Sequence, residues 1–402
     1  MLSQISFKSL ALLMVFHTIK VSCQGPVEPL VSRSFTEYLM PVAAETHEFA
    51  RVPNSTFVLL SQMSDSQLVK IELDQESQAP IALQSFPIGN SKSGLHGVFP
   101  SVLYPGLMWL SLQYDNQLLL IDPGPDLSTE PTILQTINIP EPGNGPHCVF
   151  EIGNRVWAGL KVASEQTGEF YVFSADVSQS ETSSSDPILY DCLKSPVFIQ
   201  EEPTTGLIYV TQDSASSIMR IDLDSGETEQ LPIPPEFGST PVGMTTAYGP
   251  LEGVWFTLAG DANGGSGTFG RIDSSGEMQF FQLREPFLGS NAGLLHIADA
   301  STPEGDPAMW LLSTSLLSTS SADALIRVTF DDGITSIAGV EYISMPTQGS
   351  WVHRAVTIGD TVMVSQLHTF TLAQLTYDNT VAGEWLSAQK VVADTTGPGE
   401  TG

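Results

Sequence analysis

The chain is 402 residues long and carries 45 Asp and Glu against 15 Lys and Arg, a formal net charge of −30 at pH 7. That balance excludes nucleic acid as the main partner, because phosphate binding rests on clustered Lys and Arg. With 41% hydrophobic and 15% charged residues the chain can bury a large core and is no disordered acidic polymer, while 34 Gly and 27 Pro favour short strands and turns over long helices.

The first 23 residues read as a secretory signal. Lys8 precedes an apolar run from Leu10 to Phe16, and small residues follow in Val21-Ser22-Cys23 before the expected cut. The run is too short for a membrane span, and no other stretch approaches the ~18 apolar residues that a spanning helix needs. A secreted, extracellular protein without a membrane span, starting near Gln24, is therefore expected. Removing the signal takes away Lys8 and Lys20 and no acid, which deepens the negative charge. Asn54-Ser55-Thr56 is an N-glycosylation sequon. Cys23 falls at the cleavage site, so Cys148 and Cys192 remain as an even pair in an oxidising compartment, and a structural disulfide between them is expected.

A repeat fills the rest of the chain. Each copy opens on His or Pro with a short apolar strand, adds a second strand that often carries an aromatic, a third of the Arg-Ile-Asp type, and a fourth ending near Leu-Pro. Seven copies begin at His47, His96, His147, Pro196, Pro241, His296 and His353. Their spacing, 45 to 57 residues, fits four strands plus turns, the period of a propeller blade. Turn residues sit between strands, as in Asp224-Ser225-Gly226, Ser274-Ser275-Gly276 and Asp331-Asp332-Gly333. The expected fold is all-β: one seven-bladed β-propeller over 24–393 with four antiparallel strands per blade, and a flexible tail at 394–402. Closing the ring requires an outer strand for the last blade. Ser34–Met40 resembles a fourth strand and is placed there, with 384–392 as its rival.

Five of the seven histidines, His47, His96, His147, His296 and His353, open a repeat. The first strand of a blade lines the axis of a propeller, so these imidazoles are expected on one ring at one face, as a general base or as metal ligands. The plain alternative is an inherited His that bonds the turn and packs. The loop after the second strand opens on the same face and brings Gln62, Gln113, Gln212, Gln366 and His368 there. Glu45 stands two residues before His47 and is the only carboxylate at that offset from a strand-opening histidine. Glu45, His47, His353 and His368 are thus expected to converge where the first and last blades meet. Asp261-Ala262-Asn263 faintly resembles a calcium loop but lacks the Glu of an EF-hand, and reads as a Gly-rich hairpin. Trp109, Trp157, Trp255 and Trp310 recur in second strands, as repeated core packing predicts.

The blade PVGM…GVWFTL…FGRIDSSGEMQFFQL at 241–283, with PHCVFEIGNRVW at 146–157 and the blade at 196–233, resembles the streptogramin B lyase (virginiamycin B lyase) group of seven-bladed propellers. The resemblance implies a lyase that opens a cyclic ester by elimination, using Mg²⁺ with histidines of adjacent blades and a Glu two residues before one of them. Residue by residue, it makes His353 and His47 the adjacent-blade pair and Glu45 the preceding carboxylate and metal ligand. The Glu that the family carries after a second strand has no counterpart, since those places hold Gln62, Gln113, Gln212 and Gln366, and a hard cation favours charged oxygens.

The resulting expectation is a secreted lyase- or isomerase-like enzyme acting on a small cyclic or ester-bearing secondary metabolite at the channel mouth. His353 or His47 would remove a proton α to a carbonyl, with Glu45 orienting the base or holding the cation. His96, His147, His296, His368, Gln62, Gln113 and Gln366 would line the binding surface. Two other readings stand beside it: a non-catalytic secreted propeller that binds a protein, glycan or small ligand, and a gluconolactonase-like lactonase needing calcium. A monomer is expected.

Overall fold

The computed structural model describes residues 35–376, apart from 42, 44, 179–184, 284–291, 302–306 and 360. The signal segment, the rival strand at 384–392 and the tail at 394–402 lie outside the described residues. Short runs rich in Val, Ile, Leu and aromatics, broken by Gly, Asn and Asp at turns, give 28 strands in seven four-stranded antiparallel sheets. The chain is a seven-bladed β-propeller. The inner strands are Thr46–Arg51, Leu95–Pro100, Pro146–Ile152, Pro196–Glu201, Pro241–Ala247, Leu294–Asp299 and Val352–Ile358, each starting within two residues of an expected repeat opening. Each packs against the next, and the seventh against the first.

Closure uses the amino-terminal strand. Phe35–Leu39 pairs antiparallel with Thr371–Thr376 on the outside of blade seven, Phe35 opposite Leu375 and Leu39 opposite Thr371. The Glu37 carboxylate accepts from Gln366 Nε2 and from Thr347 Oγ1, both at 2.8 Å. Ring closure therefore removes the open sheet edge.

The inner strands share one irregularity. In blades one to five the pairing between first and second strand slips by one residue, as between Thr46 and Phe49, which leaves one inner-strand N–H off the ladder. A hydroxyl from the second strand takes it. Ser61 Oγ accepts the Glu48 N–H at 3.1 Å and donates to the His96 carbonyl of the next blade at 2.6 Å. Ser111 does the same for the Gly97 N–H and the His147 carbonyl, and Thr211 for the Phe198 N–H and the Val242 carbonyl. In blade three the equivalent residue is Gly159, where an added Cβ would lie 2.7 Å from the Pro196 carbonyl oxygen, so blade four packs directly onto backbone.

Cys148 and Cys192 are free thiols and form no disulfide. Cys148 lies on the inner strand of blade three and Cys192 ends its outer strand, Ser185–Cys192, with two strands between them. That is about 14 Å across the sheet, twice what a disulfide spans. The Cys192 thiol instead meets Met219 Sδ at 3.4 Å in the core. The four repeated tryptophans are all buried.

One buried carboxylate joins blades two and three. Glu151 accepts from Ser101 Oγ at 2.7 Å, from the Val102 and Leu103 N–H groups at 2.8 and 2.5 Å, and from Trp109 Nε1. Glu151→Ala strands four donors, those of Ser101 and Trp109 on buried residues, and should cost about 3 kcal/mol of stability, read as a lowered thermal or denaturant midpoint. An unchanged midpoint would show that this staple is not needed.

Candidate functional site

The pairing register assigns each axial residue to a layer. Thr46 opposite Gln62, Leu95 opposite Leu112, Pro146 opposite Leu160, Pro196 opposite Gln212, Pro241 opposite Leu258, Leu294 opposite Ser313 and Val352 opposite Gln366 are equivalent pairs. The next residue of each inner strand forms one ring: His47, His96, His147, Val197, Val242, Leu295 and His353. The residue after that forms a second ring: Glu48, Gly97, Cys148, Phe198, Gly243, His296 and Arg354. Four of the five expected histidines thus share a layer, and His296 stands one residue deeper, with Leu295 in the place it was expected to fill.

The four imidazoles make a continuous arc through blades seven, one, two and three. Ring centroids lie 4.2 Å apart for His353 and His47, 4.0 Å for His47 and His96, and 3.4 Å for His96 and His147. Val197, Val242 and Leu295 make the opposite wall apolar. Below the arc, Glu48 Oε2 pairs with Arg354 Nη1 at 3.0 Å, and Glu48 Oε1 lies 3.6 Å from His353 Nδ1. The Arg354 guanidinium extends from blade seven over the Phe198 ring of blade four at 4.9 Å. Phe198 in turn lies 5.5 Å from the His296 ring, whose Nδ1 accepts the Ala355 N–H at 3.4 Å. This layer lies one residue deeper along the axis than the arc.

Above the arc comes the residue following each second strand. Gln113 Oε1 accepts from His147 Nδ1 at 2.8 Å, which leaves the lone pair of that ring on Nε2. Lys161 and Asp213 hold the same place in blades three and four and form a half-exposed pair at 3.7 Å. Gln113 sits one residue beyond the position of Gln62, Gln212 and Gln366, and so is the one of the four expected glutamines that reaches a histidine. Gln62 bonds the carbonyls of Pro41 and Ala43, Gln212 caps the Leu193 and Lys194 N–H groups, and Gln366 binds Glu37.

Glu45 does not join the cluster. Its backbone is left-handed, φ 63°, in the place that Gly94 and Gly145 hold in the next two blades; its N–H donates to the Leu367 carbonyl at 3.0 Å, and its side chain is exposed. Glu48 is the carboxylate that faces the histidines. The clue lay in His47-Glu48 and His353-Arg354, opposite charges at one repeat position in blades that closure makes neighbours. His368 is also exposed and stacks on Trp351, centroids 4.5 Å apart, at the rim. The Asp261 segment is a tight turn, with Asp261 Oδ1 accepting the Asn263 N–H at 2.7 Å. Asn54 is exposed beside an open recess of about 580 Å³ that also touches Arg51, Gln75 and Pro125 and holds no His, Cys or carboxylate.

Burial sets the electrostatics. It pushes the His47 imidazole down to about 3, with the Lys161 cation adding to the effect. His96, His147, His296 and His353 are held well below the usual range, burial again first and neighbouring cations or imidazoles second. Burial raises Glu48, against the opposing pull of Arg354, and raises the Cys148 thiol. The arc is therefore a set of neutral imidazoles, each with a lone pair to offer.

Mg²⁺ does not fit this donor set. Among the described residues the two groups able to hold a cation are His96, His147 and Cys148, and His47, Glu48 and His353. They offer one carboxylate between them, already paired with Arg354, where magnesium needs several hard oxygens.

No family profile matches the sequence, and no curated protein sequence matches it. Solved structures do. Virginiamycin B lyase of Staphylococcus aureus aligns with TM-score 0.63 at 18% identity, over 86% of this chain and all of that one. A catalytically inactive histidine-to-alanine variant of that lyase, solved with quinupristin, gives 0.64 at 17% over the same shares. YCF48 bound to a D1 peptide gives 0.58 at 13%, over 88% of this chain and 99% of that one. The chain shares their propeller fold.

Because His47 is neutral in the folded state and charges readily when unfolded, its contribution to stability is full above about pH 6.5 and is lost as the pH falls towards 3. Thermal melts should show this decline on acidification. His47→Leu, which installs the residue blade six uses at that place, should make it shallower, the other four buried histidines keeping the remainder. An equal decline in both proteins would place the titrating groups elsewhere.

Proposed function

We propose that the protein is a secreted propeller enzyme, lyase-like, acting on a small carbonyl- or ester-bearing metabolite that enters the axial channel from the Lys161 side. The observation that carries the reading is the arc of neutral imidazoles over a buried Glu48–Arg354 pair, half walled by apolar side chains. A neutral imidazole is a competent general base, and His353 has a carboxylate 3.6 Å away to stabilise the imidazolium it would become. In the elimination, His353 takes the proton α to the carbonyl, that electron pair forms the new C=C bond, and the C–O bond breaks with the carboxylate as leaving group. Lys161, at the mouth, faces the negative charge that develops on the carbonyl oxygen. The fold shared with virginiamycin B lyase supports the reading, and the gluconolactonase-like alternative loses its carboxylate, since Glu45 points to solvent.

The test is product formation from quinupristin, from a panel of lactones and cyclic depsipeptides, and from a metabolite extract. His353→Ala should lower turnover by about 10²–10⁴-fold while keeping the wild-type melting temperature. Full activity in that variant, on any compound the wild type converts, would overturn the assignment. A second reading, a ligand-binding propeller without turnover, rests on the rim, where Trp351 stacks on His368 and Tyr114 stands 62% exposed. Binding without conversion is its signature.

Secretion is supported by the leading segment and by the exposure of Asn54 in its turn. Expressed in a eukaryotic host, the protein should enter the medium and lose mass with a glycan-removing amidase, and Asn54→Gln should abolish that loss. Retention inside the cell would contradict the reading.

A further inference from the structure

We propose that His96, His147 and Cys148 bind a borderline-to-soft transition-metal ion, zinc or copper(I), in the axial channel. The two imidazoles and the thiol offer one donor atom each, all within 4.8 Å of one another. A tetrahedral ion needs its nitrogen and sulfur ligands about 3.4–3.8 Å apart, so side-chain rotation of about 1 Å completes the site. Two imidazoles and a thiolate suit zinc or copper(I) and not a hard cation.

The His96 ring lacks other work. His96 is fully buried, and neither of its ring nitrogens has a hydrogen-bond partner. A buried imidazole with two idle nitrogens is what a ligand looks like before its ion arrives. Gln113 supplies the outer support: by accepting from His147 Nδ1 at 2.8 Å it fixes the ring and leaves Nε2 to coordinate. The neighbouring group of His47, Glu48 and His353 is the weaker candidate, because Arg354 holds the carboxylate at 3.0 Å. Gly97, on the inner strand of blade two, brings no side chain into the layer beside Cys148; a Cβ there would lie 2.8 Å from the Val149 nitrogen of the neighbouring inner strand. Binding releases the Cys148 proton to solvent, since a coordinating thiol is held as thiolate. His47, whose ring is 4.0 Å from that of His96, is the neighbouring imidazole that could supply a fourth ligand.

The experiment uses the whole folded protein and metal ions alone. After chelation and removal of the chelator, Zn²⁺, or Cu⁺ under reductant, should be retained at one equivalent through gel filtration. Co²⁺ as a spectroscopic substitute should give a thiolate-to-cobalt charge-transfer band. Cys148→Ser should lose the band, and Cys192→Ser should keep it. Gln113→Ala, which removes no donor, should weaken zinc binding about 10–100-fold. The inference fails if neither ion is retained, if cobalt binds without the thiolate band, or if the band survives in Cys148→Ser. The readout is absorption rather than turnover, and His353→Ala should keep the band, so failure of the metal site and failure of the lyase reading are separable.

Discussion

The bulge near the start of the inner strands, and the hydroxyl that satisfies it, is the constraint on which the axial site depends. A regular ladder would alternate side chains strictly and give each inner strand one residue facing the axis. Slipping the register places successive residues, such as His47 and Glu48, in successive axial layers. It also orphans a buried N–H, which cannot stay unpaired. Ser61, Ser111 and Thr211 resolve this and, by donating onward to the carbonyl of the next blade, fix the height of one blade against its neighbour. The carbonyls they grip in blades two and three belong to His96 and His147. The chemistry-bearing residues are thus held by their own backbone, and a histidine's place in the arc is decided by a serine one blade back.

The seven-fold scaffold is regular, but its axial decoration is not. Imidazoles occupy blades seven, one, two and three, while Val197, Val242 and Leu295 occupy the other three. Beneath them the second ring holds one pair of opposite charges, Glu48 and Arg354, from the first and last blades, whose inner strands pack together where the ring closes. A charged pair this buried requires good geometry to offset its desolvation. Arg354 gains further compensation by lying over Phe198. Breaking the ring's symmetry in this way gives the axis a polar and an apolar side.

The fold was legible because a repeat states itself seven times: blade number and inner strands followed from periodicity, while the choice of closing strand between 34–40 and 384–392 needed the pairing of Phe35–Leu39 with Thr371–Thr376. The site was legible only to within one residue. His296 shares its repeat opening with the other histidines, yet the spacing cannot reveal that it stands two residues after the paired Leu294 where the others stand one after theirs, and that single step moves the ring down a layer. The same parity separates Gln113, which reaches His147, from Gln62 and Gln212, which bond backbone groups, and from Gln366, which binds the Glu37 carboxylate. Glu45 misled for a different reason. Its left-handed φ turns the side chain outward, and nothing in its neighbours Ala44 and Thr46 announces a conformation that blades two and three assign to glycine. The cysteines were paired by compartment and parity alone, and chain position hides the fact that they sit on opposite edges of one sheet.

Charge narrows the class of ligand that the channel suits. The chain carries a net −30, yet Lys161 at the mouth and Arg354 in the deeper layer are both cations. Surface charge is screened beyond about 8 Å at physiological salt, so the bulk of the acid acts on approach and not inside the channel. At the mouth Lys161 has Asp213 at 3.7 Å, and in the deeper layer Arg354 has Glu48 at 3.0 Å; each cation is matched. A free carboxylate ligand would meet long-range repulsion outside and no unmatched positive charge within. On the lyase reading proposed above, a neutral ester or lactone would avoid both costs and would find in Lys161 a donor whose attraction grows as its carbonyl oxygen becomes negative. Selectivity for the developing charge over the ground-state charge is what catalysis by an electrostatic group requires.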